Sequence, residues 1–316
     1  MTKWTATDIP SQRGRTAIVT GTGGLGYFDA LELARAGGDV ILAGRSRAKG
    51  EQAVAQILGA VPGAVVRFEE LDLASLSSVA AFADRLRDQH DAIDLLINNA
   101  GVMVPPRRTE SADGFELQFA TNYLGHFALT ARLLPLLRAG TAPRVVSLSS
   151  VAARSGRINV ADLNSEARYV PMAAYSQSKL ACLMFALEFQ RRSEAAGWGV
   201  ASIAAHPGVA RTDLLHNAPG KRSMMGIARS LLWFLFQPAA QGALPTLFAA
   251  TASAAHAGGY YGPDRLSETR GHPAPAKIPD QALDPEVAAR LWETSETLTG
   301  LTLGGATPLP MRTVGS

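Results

Sequence analysis

The chain has 316 residues, 47% hydrophobic and 18% charged, with a formal net charge of +3. That balance describes a packed globule long enough for one large domain and excludes a disordered chain. A small net charge without a Lys/Arg-rich run gives no footprint for nucleic acid, and one cysteine, Cys182, excludes an internal disulfide. Six scattered histidines with no H-x-x-x-H pair give no metal site.

Residues 1–14 form an N-terminal arm without the apolar core of a signal peptide. After it, short β-branched apolar runs alternate with helical patterns. Strands are predicted at 16–20, 39–44, 64–71, 92–98, 144–150 and 199–206, and helices at about 24–37, 47–58, 75–89, 114–138 and 172–196. The strands are apolar on both faces, as parallel strands covered by helices must be. The reading is an α/β, single-domain Rossmann-type fold: a doubly wound parallel sheet with helices on both faces. Beyond Pro207 the alternation relaxes. A substrate-binding insertion is expected at about 208–240, and a C-terminal extension at about 258–316 of surface loops with one late edge strand at "GGYYGP". No run reaches the roughly 20 apolar residues needed to span a bilayer; the longest, Ser223 to Gln237, is interrupted by Arg229. The cytoplasm is the expected location.

Three stretches carry chemistry. "TGTGGLGY", Thr20 to Tyr27, follows the first strand and opens the first helix. In that context backbone N–H groups can hold a pyrophosphate, and glycine lets the backbone approach it closely. The second strand ends "ILAGRSR", where an NAD site usually carries an acidic residue. Here Gly44 is followed by Arg45 and Ser46, with Arg47 and Lys49 close behind. A guanidinium suits a 2′-phosphate, so NADP(H) is favoured over NAD(H). In "YSQSK", Tyr175 and Lys179 share one helix face. An ammonium beside a phenol favours the phenolate, which lets a tyrosine exchange a proton with an alcohol or ketone.

With "NNAGV" (98–102), "NYLGHF" (122–127), "SLSS" (147–150), "YSQSK" and "HPGVARTDL" (206–214), nearly the whole chain resembles the short-chain dehydrogenase/reductase family. "NNAGVM", "NYLGHFALT", "GGYYGP" and the 25-residue step from Ser150 to Tyr175 are similar to the branch containing retinol dehydrogenases and protochlorophyllide reductases. The resemblance implies an NADP(H)-dependent oxidoreductase moving hydride between nicotinamide and a carbonyl or alcohol carbon. Tyr175 would be the general acid/base, Lys179 would hold the nicotinamide ribose, and Ser150, rather than Ser149, would hold the substrate oxygen. Asn122 would place the water that links Lys179 to solvent. Gly21, Gly24, Leu25 and Gly26 would approach the cofactor phosphates. Asp72 and Leu73, with Asn99, Ala100 and Gly101, would line the adenosine side; Pro207, Gly208, Val209 and Thr212 would flank the nicotinamide.

The family loop is T-G-x-x-x-G-x-G, and this one is a residue short. That departure bears on the pyrophosphate fit. Met103, Ala152, Met172, Met224 and Trp233 would give a soft apolar pocket for a bulky hydrophobic substrate. Trp233, Phe234 and Phe236, with Met225 nearby, would pack on the core, cover the substrate or rest on a membrane surface. Cys182 lies beside the Tyr175 face as a small buried residue or a thiol near the site. His126 and His206 read as structural hydrogen-bonders. The helices at 114–138 and 172–196 carry the surfaces through which a homodimer would form. Two alternatives remain: a non-catalytic NADP(H)-binding sensor or scaffold, for which the short loop argues, and a C=C reductase.

Overall fold

Strands apolar on both faces demand a layer of helices on each side, and the computed structural model, which describes residues 3–210 and 237–303, has both layers. Strands β1 (Thr16–Thr20), β2 (Asp39–Gly44), β3 (Val66–Glu70), β4 (Leu95–Asn98), β5 (Arg144–Leu148) and β6 (Ala201–Ala205) run parallel. β7 (Tyr260–Arg265) joins β6 in parallel. β8 (Arg270–Pro275) then returns antiparallel, giving the order β3-β2-β1-β4-β5-β6-β7-β8. The sheet is therefore mostly rather than wholly parallel. The turn between β7 and β8 is far too short for a crossover, so the last strand has to reverse. Edge strand β3 carries Arg67, Glu69 and Glu70, and edge strand β8 carries Pro273 and Pro275, which discourage further pairing.

Helices α1 (Gly24–Arg35) and α2 (Arg47–Ala60) cover one face. The other holds α3 (Leu76–Gln89), α4 (Gly125–Arg138) and α5 (Pro171–Ala196). Local chemistry sets their ends. The Ser46 and Ser75 hydroxyls accept the N–H groups of Lys49 and Ser78, capping α2 and α3. Pro171 opens α5, and Gly197 closes it at φ 63°.

Beyond Pro207 the described residues carry more regular structure than the sequence suggests, while most of the expected insertion, 211–236, lies outside the described residues. α6 (Ala239–Thr251) begins inside the expected insertion and packs beside α1. The tail is not a set of surface loops: α7 (Pro285–Thr299), capped by Asp284 and closed by Gly300, drives Trp292 into the core. Trp292 stacks on Phe185 at 5.8 Å, meets Phe127 edge-on at 5.2 Å and lies under the Arg192 guanidinium at 4.4 Å. The N-terminal arm is packed as well, with Trp4 edge-on to Phe248 at 5.4 Å.

The helix predicted from residue 114 starts later and is irregular. A single turn, Leu117–Phe119, leads through a π-helical turn, Ala120–Leu124, into α4. Such turns often occur where a functional group must be turned out of register. Here the turn presents the Asn122 carbonyl to His126 Nδ1 at 2.9 Å and to the Cys182 thiol at 3.1 Å. Burial pushes His126 down to about 4, so its imidazole is neutral. Since the Asn122 carbonyl can only accept, Nδ1 carries the proton and Nε2 accepts the Thr20 hydroxyl at 2.9 Å.

That assignment has a consequence for stability. The folded His126 binds its proton less readily than the unfolded chain, whose value is near 6.5. Its contribution is complete above that value and is lost as pH falls towards 4. Urea unfolding should show on the order of 3 kcal/mol lost over that window, and His126→Gln should remove this component of the pH dependence. An unchanged pH profile in the variant would refute the assignment. Trp292→Ala should destabilise the protein by about 3–5 kcal/mol in the same assay; a loss below about 1 kcal/mol would mean that α7 is not part of the cooperative core.

Candidate active site

A cleft of about 740 Å³ opens at the carboxyl ends of β1, β4, β5 and β6, where ligands bind in open parallel sheets. It is lined by Gly21–Leu25, Asn99–Gly101, Met103, Ser149–Ala152, Met172, Tyr175, Lys179 and Pro207–Ala210.

The glycine loop forms its floor. Gly21 adopts φ 94° and Gly24 φ 54°, both in the left-handed region that favours glycine. A Cβ at Gly21 would stand 2.8 Å from Asn99 Nδ2, and one at Gly26 would overlap the Gly21 carbonyl oxygen. Gly26 thus packs beneath the loop and does not line the cleft, whereas Gly21, Gly24 and Leu25 do. α1 starts at Gly24 with no side-chain cap on Gly23 and no acidic residue in its first turn. Its free N–H groups and positive dipole end face the cleft, an arrangement that fits a pyrophosphate. The missing residue shortens the arch before the helix but leaves the helix start at the cleft.

The end of the cleft beside α2 is charged in a particular way. Arg47 is engaged by Glu70 at 3.4 Å and Glu51 at 3.7 Å. Arg45 and Lys49 have no carboxylate partner among the described residues, and both are exposed. Lys49, Gln52 and Gln56 line the cleft from one face of α2, opposite Tyr27 and Phe28 of α1. Only Lys49 of these was singled out from sequence, although the i, i+3, i+7 polar spacing is a readable signal. Arg45, Ser46, Asp72 and Leu73 lie outside the cleft lining. Ser46 caps α2, and Asp72 Oδ1 accepts the Ala74 N–H at 2.9 Å. A Cβ at Gly125 would overlap the Leu73 carbonyl, so that position receives α4.

At the other end, Tyr175 and Lys179 lie one helical turn apart on α5, 8% and 6% exposed. The Lys179 ammonium donates to the Leu148 carbonyl at 3.0 Å, keeping two further N–H groups. Ser149 and Ser150 are told apart by their bonds. The Ser149 hydroxyl donates to the Lys179 carbonyl at 2.7 Å and is buried. The Ser150 hydroxyl accepts the Ala152 N–H at 3.2 Å, so its own proton is left to donate into the cleft.

Asn122 does not line the cleft. Its side chain is clamped to both backbone groups of Val102, accepting the N–H at 2.7 Å and donating to the carbonyl at 2.9 Å, and it also donates to Ser178 Oγ at 2.9 Å. It fixes the segment on which Gly101 and Met103 stand. Cys182 is buried, and burial pushes its thiol up, so it packs as a neutral donor. His206 is buried at the end of β6 with Nε2 3.0 Å from Glu268. Ala152, Met103 and Met172 line the cleft; Thr212, Met224, Met225, Trp233, Phe234 and Phe236 lie outside the described residues. Among the described residues, no helix is long and apolar enough to cross a membrane and no cluster could hold a metal ion.

A sequence profile of the short chain dehydrogenase family matches residues 15–223. Retinol dehydrogenase 13 of Mus musculus is 42% identical over 304 residues, covering 93% of this chain and 86% of that protein. Polyprenol dehydrogenase of Mus musculus is 41% identical over 298 residues, covering 92% of this chain and 86% of that protein. The crystal structure of an uncharacterized protein from Mycobacterium paratuberculosis superposes with a TM-score of 0.79 at 42% identity, covering 96% of this chain and 99% of that one. On this sequence match, fold and cleft, the chain belongs to the short-chain dehydrogenase family, close to its retinol-dehydrogenase-like branch, whose members are oxidoreductases acting on CH–OH and C=O groups with NAD(P).

Proposed function

We propose that the protein is an NADP(H)-dependent oxidoreductase of long apolar alcohols and their carbonyl counterparts, with Tyr175 as general acid/base. The observation that carries this reading is the meeting of Ser150, Tyr175 and Lys179 in one cleft with an uncapped helix N-terminus. When bound, the nicotinamide supplies or accepts the hydride, which no side chain can do. Ser150 donates its free proton to the substrate oxygen and orients it. Tyr175 gives its hydroxyl proton to that oxygen on reduction and takes it back on oxidation. Lys179, held by the Leu148 carbonyl, keeps a positive charge beside the phenol and offers its remaining donors to the ribose. Asn122 acts through Val102, setting the height of the cleft wall.

Two observations support NADP(H). Arg45 and Lys49 carry no carboxylate partner among the described residues, so their charge is available to a phosphate. Gly44 stands where an NAD-selective carboxylate belongs, and a Cβ there would lie 2.9 Å from Thr22 Cγ2. Thr22 of the short loop lies beside that position, so a side chain there would have to displace its methyl group. Support for the substrate class comes from Met103, Ala152 and Met172 in the cleft lining, and from relatives whose names specify retinol and polyprenol, both long isoprenoid alcohols.

Turnover of a panel of isoprenoid alcohols and aldehydes, with NADPH and NADH in parallel, tests the reading. Tyr175→Phe should lower kcat by about 10²–10⁴-fold while leaving NADPH affinity, measured by fluorescence, within about threefold. Retention of most activity would defeat the mechanism. Arg45→Ala should weaken NADPH by about 10–100-fold and leave NADH unchanged; equal losses for both would remove Arg45 from phosphate recognition.

A further inference from the structure

The turn joining β7 to β8 holds three consecutive non-glycine residues in the left-handed region: Leu266 at φ 49°, Ser267 at 54° and Glu268 at 65°. None is Asn or Asp, the residues that tolerate this conformation best. Such backbone persists only where its surroundings over-determine it, and it clusters at functional sites. What holds it is the Glu268 carboxylate. Oε2 accepts from His206 Nε2 at 3.0 Å and from an Arg154 guanidinium nitrogen at 2.6 Å, while Oε1 accepts the Lys277 N–H at 3.0 Å. Arg154 also donates to the Ser267 carbonyl at 3.1 Å.

These partners belong to opposite walls of the cleft. Arg154 sits in the 3-10 turn Val151–Ser155, which directly follows Ser150. His206 precedes Pro207, Gly208 and Val209. The Gly208 N–H donates to His206 Nδ1 at 3.2 Å, so Nδ1 is the acceptor and Nε2 bears the proton given to Glu268. Burial holds His206 below its usual range, in keeping with that neutral tautomer. The turn supports the same wall through its backbone: the Thr269 carbonyl accepts the Val209 N–H at 2.8 Å, and a Cβ at Gly208 would overlap it. Gln237 donates to the Pro207 carbonyl at 2.6 Å and accepts the Gly271 N–H at 3.1 Å, tying the same wall to the hairpin.

We infer that Glu268 is a positioning residue of the active site. It locks His206 as the Nε2–H tautomer and anchors Arg154, so that the Gly208–Val209 wall and the Ser150 wall keep one fixed spacing. This rests on the NADP(H) oxidoreductase reading for its consequence in turnover, but the lock itself is a property of the protein alone.

Two variants of the full chain separate its halves. In Glu268→Ala both locks are lost. In Glu268→Gln the amide carbonyl still accepts from His206, but the charge holding Arg154 is gone. Amide hydrogen exchange without cofactor, followed in peptides covering 150–156 and 206–210, should accelerate about tenfold in both peptides for Glu268→Ala. In Glu268→Gln the 206–210 peptide should recover and the 150–156 peptide should not. NADPH affinity should follow the 206–210 peptide, falling in the alanine variant and returning in the glutamine one. The kcat should fall about tenfold in both, since both release the Ser150 wall. Uniform acceleration across all peptides, or exchange unchanged in these two, overturns the proposal. If the wild type neither binds NADPH nor turns over, the functional reading fails, and the split between the two peptides still decides the role of Glu268.

Discussion

The Thr20 hydroxyl is the junction on which the site depends. It accepts the N–H groups of Asn99 at 2.9 Å and Ala100 at 3.0 Å, which uses both lone pairs. Its one proton is shared between His126 Nε2 at 2.9 Å and the Ile97 carbonyl at 3.2 Å. Asn99 Nδ2 returns a bond to the Thr20 carbonyl at 2.7 Å. The end of β1, the end of β4 and the helix behind them are thereby fixed around a single buried oxygen. From that point the glycine loop leaves in one direction and the Asn99–Met103 segment in the other. His126 continues the connection to the Asn122 carbonyl, and the Asn122 side chain closes it on Val102. A polar network of this kind is useful only when every member is satisfied, and its members are.

The short glycine loop makes sense beside this junction. With Gly21 pressed against Asn99 and Gly26 against the Gly21 carbonyl, the two ends of the arch are fixed by contacts that tolerate no side chain. A residue can be removed only from the span between them. Thr22 stands in that span, and a Cβ at Gly44 on the end of β2 would lie 2.9 Å from its methyl group.

Much of this was legible in the chain. The strands from 16 to 206 and the helix carrying Tyr175 and Lys179 announce themselves by period and by length, and the helix starts by Ser46 and Pro171. These are local signals, carried within a few residues. The parts that were not legible rest on contacts between distant segments. Nothing in "ATNYL" marks a π-turn, and one partner of its Asn122 carbonyl, the Cys182 thiol, lies 60 residues on. The Pro/Gly-rich tail hid α7, whose Asp284 cap and Gly300 stop are ordinary signals once the surrounding prolines are discounted. Glu268 had no local signal at all. A lone glutamate in a polar stretch reads as solvated until the fold brings His206 and Arg154 to it.

Asp29 shows the same limit from the opposite side. A formal charge count makes it an anion, yet it is fully buried on α1 with neither oxygen partnered among the described residues, and burial raises its pKa well above the usual range. It lies one turn beyond Leu25. The matching position on the neighbouring α6, one turn beyond Gly242, is Thr246, whose buried hydroxyl is also without a partner among the described residues. Unpartnered buried polar atoms cost about 1–3 kcal/mol each, so α1 and α6 give up stability directly behind the glycine loop. An ionised carboxylate there would also oppose the positive end of the α1 dipole. In its neutral form Asp29 leaves that field intact, and the helix start keeps the polarity that an anion requires. Local rules are broken where the fold holds a functional surface in place, and α1 breaks one on the side turned away from the cleft.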